Sequence, residues 1–195
     1  MRYEKGHKEA TRSRIVDTAA QRFREQGIAA VGVAHLMGEV GLTQGGFYNH
    51  FASKEELARE ALALGLERMR ERTRKASAKS GAARIEDLVD SYLSAAHRDN
   101  VGRGCMLTTL VIEAGRSDGA VRTQLSDGIK EMVQLIGLVL PESVAPAQRE
   151  ARAMAVVSGL VGCMILARAT DDAQMSDRIL DAGRRAAIVT ANAAF

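Results

Sequence analysis

Gly41-Leu-Thr-Gln-Gly-Gly-Phe-Tyr-Asn-His-Phe51, followed at once by Ala52-Ser53-Lys54-Glu55-Glu56-Leu57, decides how the chain is read. Thr43 can cap a short helix reaching Asn49 or His50. Ser53 with Glu56 forms a Ser-x-x-Glu capping box, which opens a long helix running to about Lys75. A short helix rich in small, aromatic and hydrogen-bonding residues, ending in Tyr48 and His50 and running into a Lys-led helix start, is suited to lie against phosphates. Gly45 and Gly46 remove side-chain bulk, at up to about 1 kcal/mol of helix propensity each. A backbone stripped in this way can come close to base edges.

Periodicity places helices on both sides of that stretch. Ile15, Val16, Ala19, Ala20 and Phe23 recur at helical spacing, so a first helix is expected from Lys8 or Thr11 to Gln26, with Gly27 as its stop. A second fits Val33 to Val40, with Leu36, Met37 and Val40 inward and Gly41 ending it. Leu57, Ala61 and Leu64 mark one stripe of the long fourth helix. Ala76-Ser-Ala-Lys-Ser-Gly81 is small and polar, a natural boundary. Beyond it, Ile85, Leu88, Val89, Tyr92 and Leu93 predict a fifth helix ending before Asp99, and Cys105 to Ala114 a sixth. Val121 through Leu140 gives a seventh, Ala147 to Ala169 an eighth, and Ser176 to Ala193 a ninth. Pro141 and Pro146 bracket a turn. The expected fold is all-α, about nine helices. It divides into residues 1–54 (with a basic arm over 1–10), a connecting helix and linker over 55–80, and a helical domain over 81–195.

Composition narrows the class. The 195 residues are 46% hydrophobic and 26% charged, enough for a sizeable core and unlike a disordered chain. Aromatic residues make up 4%, with no Trp and two Pro, which fits packed helices. No stretch of about 20 apolar residues is free of charge, and no apolar run follows the N-terminus, so neither a membrane span nor a secretory signal is expected. Two cysteines fit a reducing cytoplasm without a disulfide framework. Residues 1–80 carry 15 Lys and Arg against 10 Asp and Glu, whereas 81–195 carry 12 against 14. A basic first part joined to a slightly acidic remainder is expected when only the first part meets a polyanion. Arg2, Lys5, Lys8, Arg12 and Arg14 lead that basic part, as extra phosphate contacts, a minor-groove arm or a tail.

Three short helices with a glycine turn between the second and third make a helix-turn-helix, whose last helix docks in a major groove. Ile15, Ala19, Phe23 and Gly27, then Gly41, Gly45, Phe47-Tyr48-x-His50-Phe51 and Ser53-Lys54-Glu55-x-Leu57, resemble the TetR (tetracycline-repressor-like) family of transcriptional regulators. The resemblance covers residues 11–60 closely and the remainder by size and helical plan. Two positions depart from the pattern: Gly32 stands where a Thr or Ser cap is usual, and Met37 where a small Ala is usual. Both concern packing at the second helix.

The contact roles combine side-chain chemistry with the resemblance. Thr43 and the amides around it suit a phosphate, and Gln44 can pair bidentately with adenine. Asn49 can reach a base or a phosphate. The resemblance assigns Tyr48 and His50 to phosphates, and Lys54 sits at a helix start aimed at the backbone. Phe47 and Phe51 read as core. The candidate DNA-binding set is therefore Thr43, Gln44, Gly45, Gly46, Tyr48, Asn49, His50 and Lys54.

For the C-terminal domain the resemblance implies a ligand pocket and a homodimer interface built from the last two long helices. The stretch Ser158–Leu166 is apolar around most of its circumference, so it needs covering on several sides. His97, Cys105, Met106, Leu110, Glu113, Met132 and Met164 are the candidate effector-binding residues, with Met154 and Arg116 near by in kind. No cofactor and no metal site is expected. The leading reading is a cytoplasmic repressor, not an enzyme. It binds a palindromic operator in double-stranded DNA as a homodimer and is released by a small-molecule effector. Cys105 behind Arg103-Gly104 suggests an alternative, a thiol sensing oxidants or electrophiles. A Cys-His hydrolase using Cys105 and His97 lacks an orienting third group, and a helical adaptor with a vestigial head sits poorly with intact Gln44, Tyr48, His50 and Lys54.

Overall fold

The computed structural model describes residues 2–77, 83–116 and 119–193. Among them every regular element is helical: α1 (Arg2–Gln26), α2 (Val33–Glu39), a 3-10 helix (Gln44–Asn49), α3 (Lys54–Ser77), α4 (Ala83–Tyr92), α5 (Ala95–Asp99), a 3-10 turn (Val101–Arg103), α6 (Leu107–Gly115), α7 (Ala120–Val139), α8 (Pro146–Ala169) and α9 (Ala173–Asn192). The all-α expectation therefore holds. Two compact units result, residues 1–67 with 101–125, and residues 68–100 with 126–195. This differs from a division at 54 and 80. Residues 101–125 join the first unit because the turn at Gly102 seats against α1, and Arg24 donates to the Gly102 carbonyl (3.4 Å).

Four expectations shift at the element level. α1 already starts at Arg2, so residues 2–10 are its first turns and not a separate arm. The short helix after Gly41 is a 3-10 helix, closed by the Gly46 amide on the Thr43 carbonyl at 3.0 Å. The expected fifth helix is broken at Ser94, whose hydroxyl accepts from the His97 amide and starts a new helix. α9 begins three residues earlier than the apolar pattern indicates, because the Asp172 side chain accepts from the Met175 amide and caps it.

The head of the first unit is a single apolar cluster. Ile15, Ala19 and Phe23 of α1 meet Leu36 and Met37 of α2, Phe47 and Phe51 of the 3-10 region, and Leu57, Ala58 and Ala61 of α3. Gly27 and Gly41 close α1 and α2 in the left-handed region (φ +86° and +75°), where a side chain would be strained.

In the second unit α8 and α9 pack along each other. At Gly183 a Cβ would stand 2.6 Å from Cys163 Sγ and 3.0 Å from Leu93 Cδ1, so the absent side chain sets the closeness of α9 to α8 and to Leu93, just past the end of α4. Arginines from α8 and α9 satisfy the carbonyls left open at helix ends. Arg149 donates to Leu140 and Pro141, Arg168 to His97 and Arg98, Arg152 to Ala191, and Arg184 to Leu93. By length and composition alone α8 would pass for a membrane-crossing helix, although 39% of its most apolar window is buried inside the protein.

Candidate nucleic-acid interface

The helix-turn-helix is assembled by contacts to α1. Arg14 donates to the Val40 carbonyl at the end of α2 (2.8 Å), and Arg22 pairs with Glu39 (2.8 Å). The turn is closed by the Leu42 amide on the Met37 carbonyl (2.9 Å). α2 starts at Gly32 without a side-chain cap, as expected for glycine there. Met37, large where a small residue is usual, is fully buried. Its Cε would lie 3.8 Å from a Cβ placed on Gly46, so the glycine leaves it ordinary room.

The 3-10 helix is anchored from below and open above. Phe47 (1% exposed) sits in the core with Phe51, their ring centroids 5.5 Å apart. Tyr48 stands edge-on to Phe47 and is 68% exposed, high for an aromatic side chain. Thr43, Gln44, Gly45 and Asn49 are exposed beside it, while Gly46 is half-buried. A Cβ on Gly45 would meet nothing within 4 Å, so nothing inside the protein requires that residue to be glycine. Thr43 has the extended backbone of a capping residue, yet its hydroxyl caps no amide.

His50 and Lys54 are half-buried. The His50 Nδ1 is buried with no hydrogen-bond partner among the described residues. Burial first, then the charges of Lys8 and Arg12, hold the imidazole below its usual pKa. Lys54 Nζ donates to the Ala29 carbonyl (3.1 Å), a bond to the turn after α1 that its place at a helix start does not foretell. The capping box forms with a shift of one residue. The Glu56 amide donates to Ser53 Oγ (3.1 Å), and the Glu56 carboxylate accepts from the Ala52 amide (2.6 Å), which is the main reason its pKa is lowered.

Three supporting residues carry no signal for this role in the sequence. Arg12 lies over the Phe51 ring, 4.1 Å from its centroid, and pairs with Glu56 and Glu60. Arg14 is committed to Val40, as above. Glu113 of α6 accepts from the consecutive amides of Ile28 (2.8 Å) and Ala29 (2.7 Å). Across 84 and 85 residues no local pattern signals such a pairing.

Those two bonds give Glu113, one of the effector candidates, a structural task. The other effector candidates fall into both units. In the first, Met106 and Leu110 are buried, and Met106 packs beside Gly65 and Arg24. Cys105 is half-buried between the 3-10 turn and α6, its carbonyl taking the Thr108 hydroxyl (2.7 Å). In the second, Met132 and Met164 are buried. His97 Nδ1 lies 2.6 Å from the Tyr92 carbonyl, and its ring rests edge-on against Tyr92. A carbonyl can only accept, so that bond fixes the tautomer with the proton on Nδ1.

Similarity to known proteins agrees with this geometry. Residues 15–61 match the family model for bacterial regulatory proteins of the tetR family, and residues 81–183 match the tetracyclin repressor-like C-terminal domain. The chain belongs to the TetR family. Among TetR-family relatives, the HTH-type transcriptional repressor DhaR of Mycobacterium sp. is 25% identical over 114 residues, 58% of this chain and 57% of the relative. The HTH-type transcriptional repressor KstR2 of Mycobacterium tuberculosis is 37% identical over 57 residues, 29% of this chain and 28% of the relative. The chain thus spans little more than half, and little more than a quarter, of the curated relatives it matches. A TetR transcriptional regulator from Chloroflexus aurantiacus superposes with a TM-score of 0.79 at 23% identity, covering 97% of this chain and 96% of its own. Escherichia coli NemR in its reduced form superposes with 0.77 at 18% identity, covering 91% and 95%. At these identities the two structures speak for the TetR fold alone.

Proposed function

We propose that the chain is a ligand-responsive DNA-binding transcriptional repressor of the cytoplasm. In this reading a homodimer binds a palindromic operator in double-stranded DNA, and a small molecule releases it. The observation that carries it is the exposed row Thr43, Gln44, Gly45, Tyr48 and Asn49 on a segment pinned down by buried Phe47 and Phe51. Gln44 then reads a base edge, and Gly45 and Gly46 admit the backbone to the groove. Thr43, Tyr48, His50 and Lys54 hold phosphates. His50 is neutral near pH 7 by the direction of its shift. With Nδ1 buried, Nε2 is the ring nitrogen that meets a phosphate oxygen, donating in the tautomer that carries its proton there.

Dimerisation through α8 and α9 is supported by Leu166 (59% exposed) and Val189 (66% exposed), with Met154 also open. An isologous pairing of that face would give the molecule two recognition segments, as an operator with half-sites about 34 Å apart, one helical turn of DNA, requires. Effector control would run through α3, which is shared by both units, with a coupling of about 1–3 kcal/mol that DNA and effector exert on each other equally. The test is to sequence the genomic duplexes that the purified protein enriches, then titrate them with the wild type and with Gln44→Ala and Tyr48→Phe. Sequence-selective binding that both variants weaken is expected. A protein that retains no duplex in dilute salt overturns the reading.

A further inference from the structure

The basic leader is the part of the sequence that the recognition row leaves unexplained. Since α1 starts at Arg2, Lys8 and Arg12 lie one turn apart on one helix face, about 6 Å from each other. Arg12 stacks on Phe51, and the His50 ring lies 6.4 Å from that same ring. Lys8 stands one turn towards the N-terminus of α1 from this stack. Its charge is felt there, since Lys8 follows burial among the causes that lower the His50 pKa. Arg12 pairs with Glu56 and Glu60, and the exposed Arg14 donates to the Val40 carbonyl. Lys8 is exposed and makes no hydrogen bond or ion pair with another described residue. With Arg12 paired to Glu56 and Glu60, the charge of Lys8 is the one left without a counter-ion among these groups, and an anion beside it would neutralise it.

We propose that Lys8 is a phosphate ligand working beside His50 on the same strand of duplex DNA, so that the helical extension of α1 acts as a backbone clamp and not as a minor-groove arm. This rests on the regulator reading above. A lysine on a helix turn holds its charge at a fixed distance from the groove, and it contributes affinity without reading sequence.

The experiment uses the full chain and a fluorescein-labelled duplex of mixed genomic sequence, titrated across a series of salt concentrations. Removing one phosphate-bound cation lowers the slope of log K against log salt by about 0.9. Lys8→Gln is expected to make the slope shallower by about that amount per protomer, Lys8→Arg to restore it, and Lys130→Gln to leave it unchanged. Lys130 is an exposed lysine on α7 paired with Asp127, so it controls for loss of net charge alone. Wild-type binding with an unaltered slope in Lys8→Gln overturns the clamp and leaves the regulator reading standing. An equal flattening by Lys130→Gln overturns it as well. A wild type that binds no duplex at any salt removes both.

Discussion

Glu113 holds two consecutive amides with one carboxylate, and Lys54 holds the carbonyl of the second of those residues, Ala29. The turn leading into α2 is thereby fixed from both sides of its peptide groups. Bonds from amides to an ionised acceptor are stronger than neutral ones, and one of these two is exposed to water. Glu113→Ala is expected to cost about 1–2 kcal/mol, read as a lower urea midpoint with an unchanged m-value, and Glu113→Gln about half of that. His50 adds a pH dependence of definite sign. Its pKa is lower folded than the unfolded 6.5, so below that value the unfolded chain binds more protons. Stability of the head should therefore decline as pH falls from about 6.5 towards the folded-state value, and a His50→Gln variant should show a flatter profile in thermal melts at pH 7 and pH 5.5. Ser53, Glu56, Phe47 and Phe51 could be read from sequence because their roles depend on neighbours within a few positions. Glu113 and Lys54 could not, because each answers to a turn that is distant along the chain.

At the scale of elements, apolar spacing located the long helices and failed where local hydrogen bonds or weak propensity prevail. The recognition segment is a 3-10 helix because two adjacent glycines weaken an α-helix just where the Gly46 amide can reach the Thr43 carbonyl. Ser94 breaks a run whose apolar residues continue in register, since a serine side chain competes for the amide of His97. The arginines of α8 and α9 that cover open helix ends are not visible in any window, as each spans a loop or crosses to another helix. Gly45→Ala separates fold from recognition. With open space at its Cβ position, the variant should keep or slightly raise thermal stability, by up to about 1 kcal/mol. Its affinity for an enriched operator should nevertheless fall, measured by fluorescence anisotropy. A simultaneous fall in stability and affinity would place the glycine among the packing residues.

For the whole molecule, the exposed apolar face on α8 and α9 is what makes self-association expected. Leu166→Glu puts a charge in its midst and should yield a monomer by sedimentation velocity, with operator affinity reduced more than tenfold, about 1.4 kcal/mol or more. A variant that stays dimeric would place the interface elsewhere. Composition and helical period were enough for an all-α chain with a basic head. The extent of that head was not legible, because residues 101–125 join it only through contacts made after folding. That membership bears on any attempt to transplant the head onto a foreign body. A graft cut after residue 67 would leave the amides of Ile28 and Ala29 bare, and a working chimera must bring the distant strap bearing Glu113 along with it.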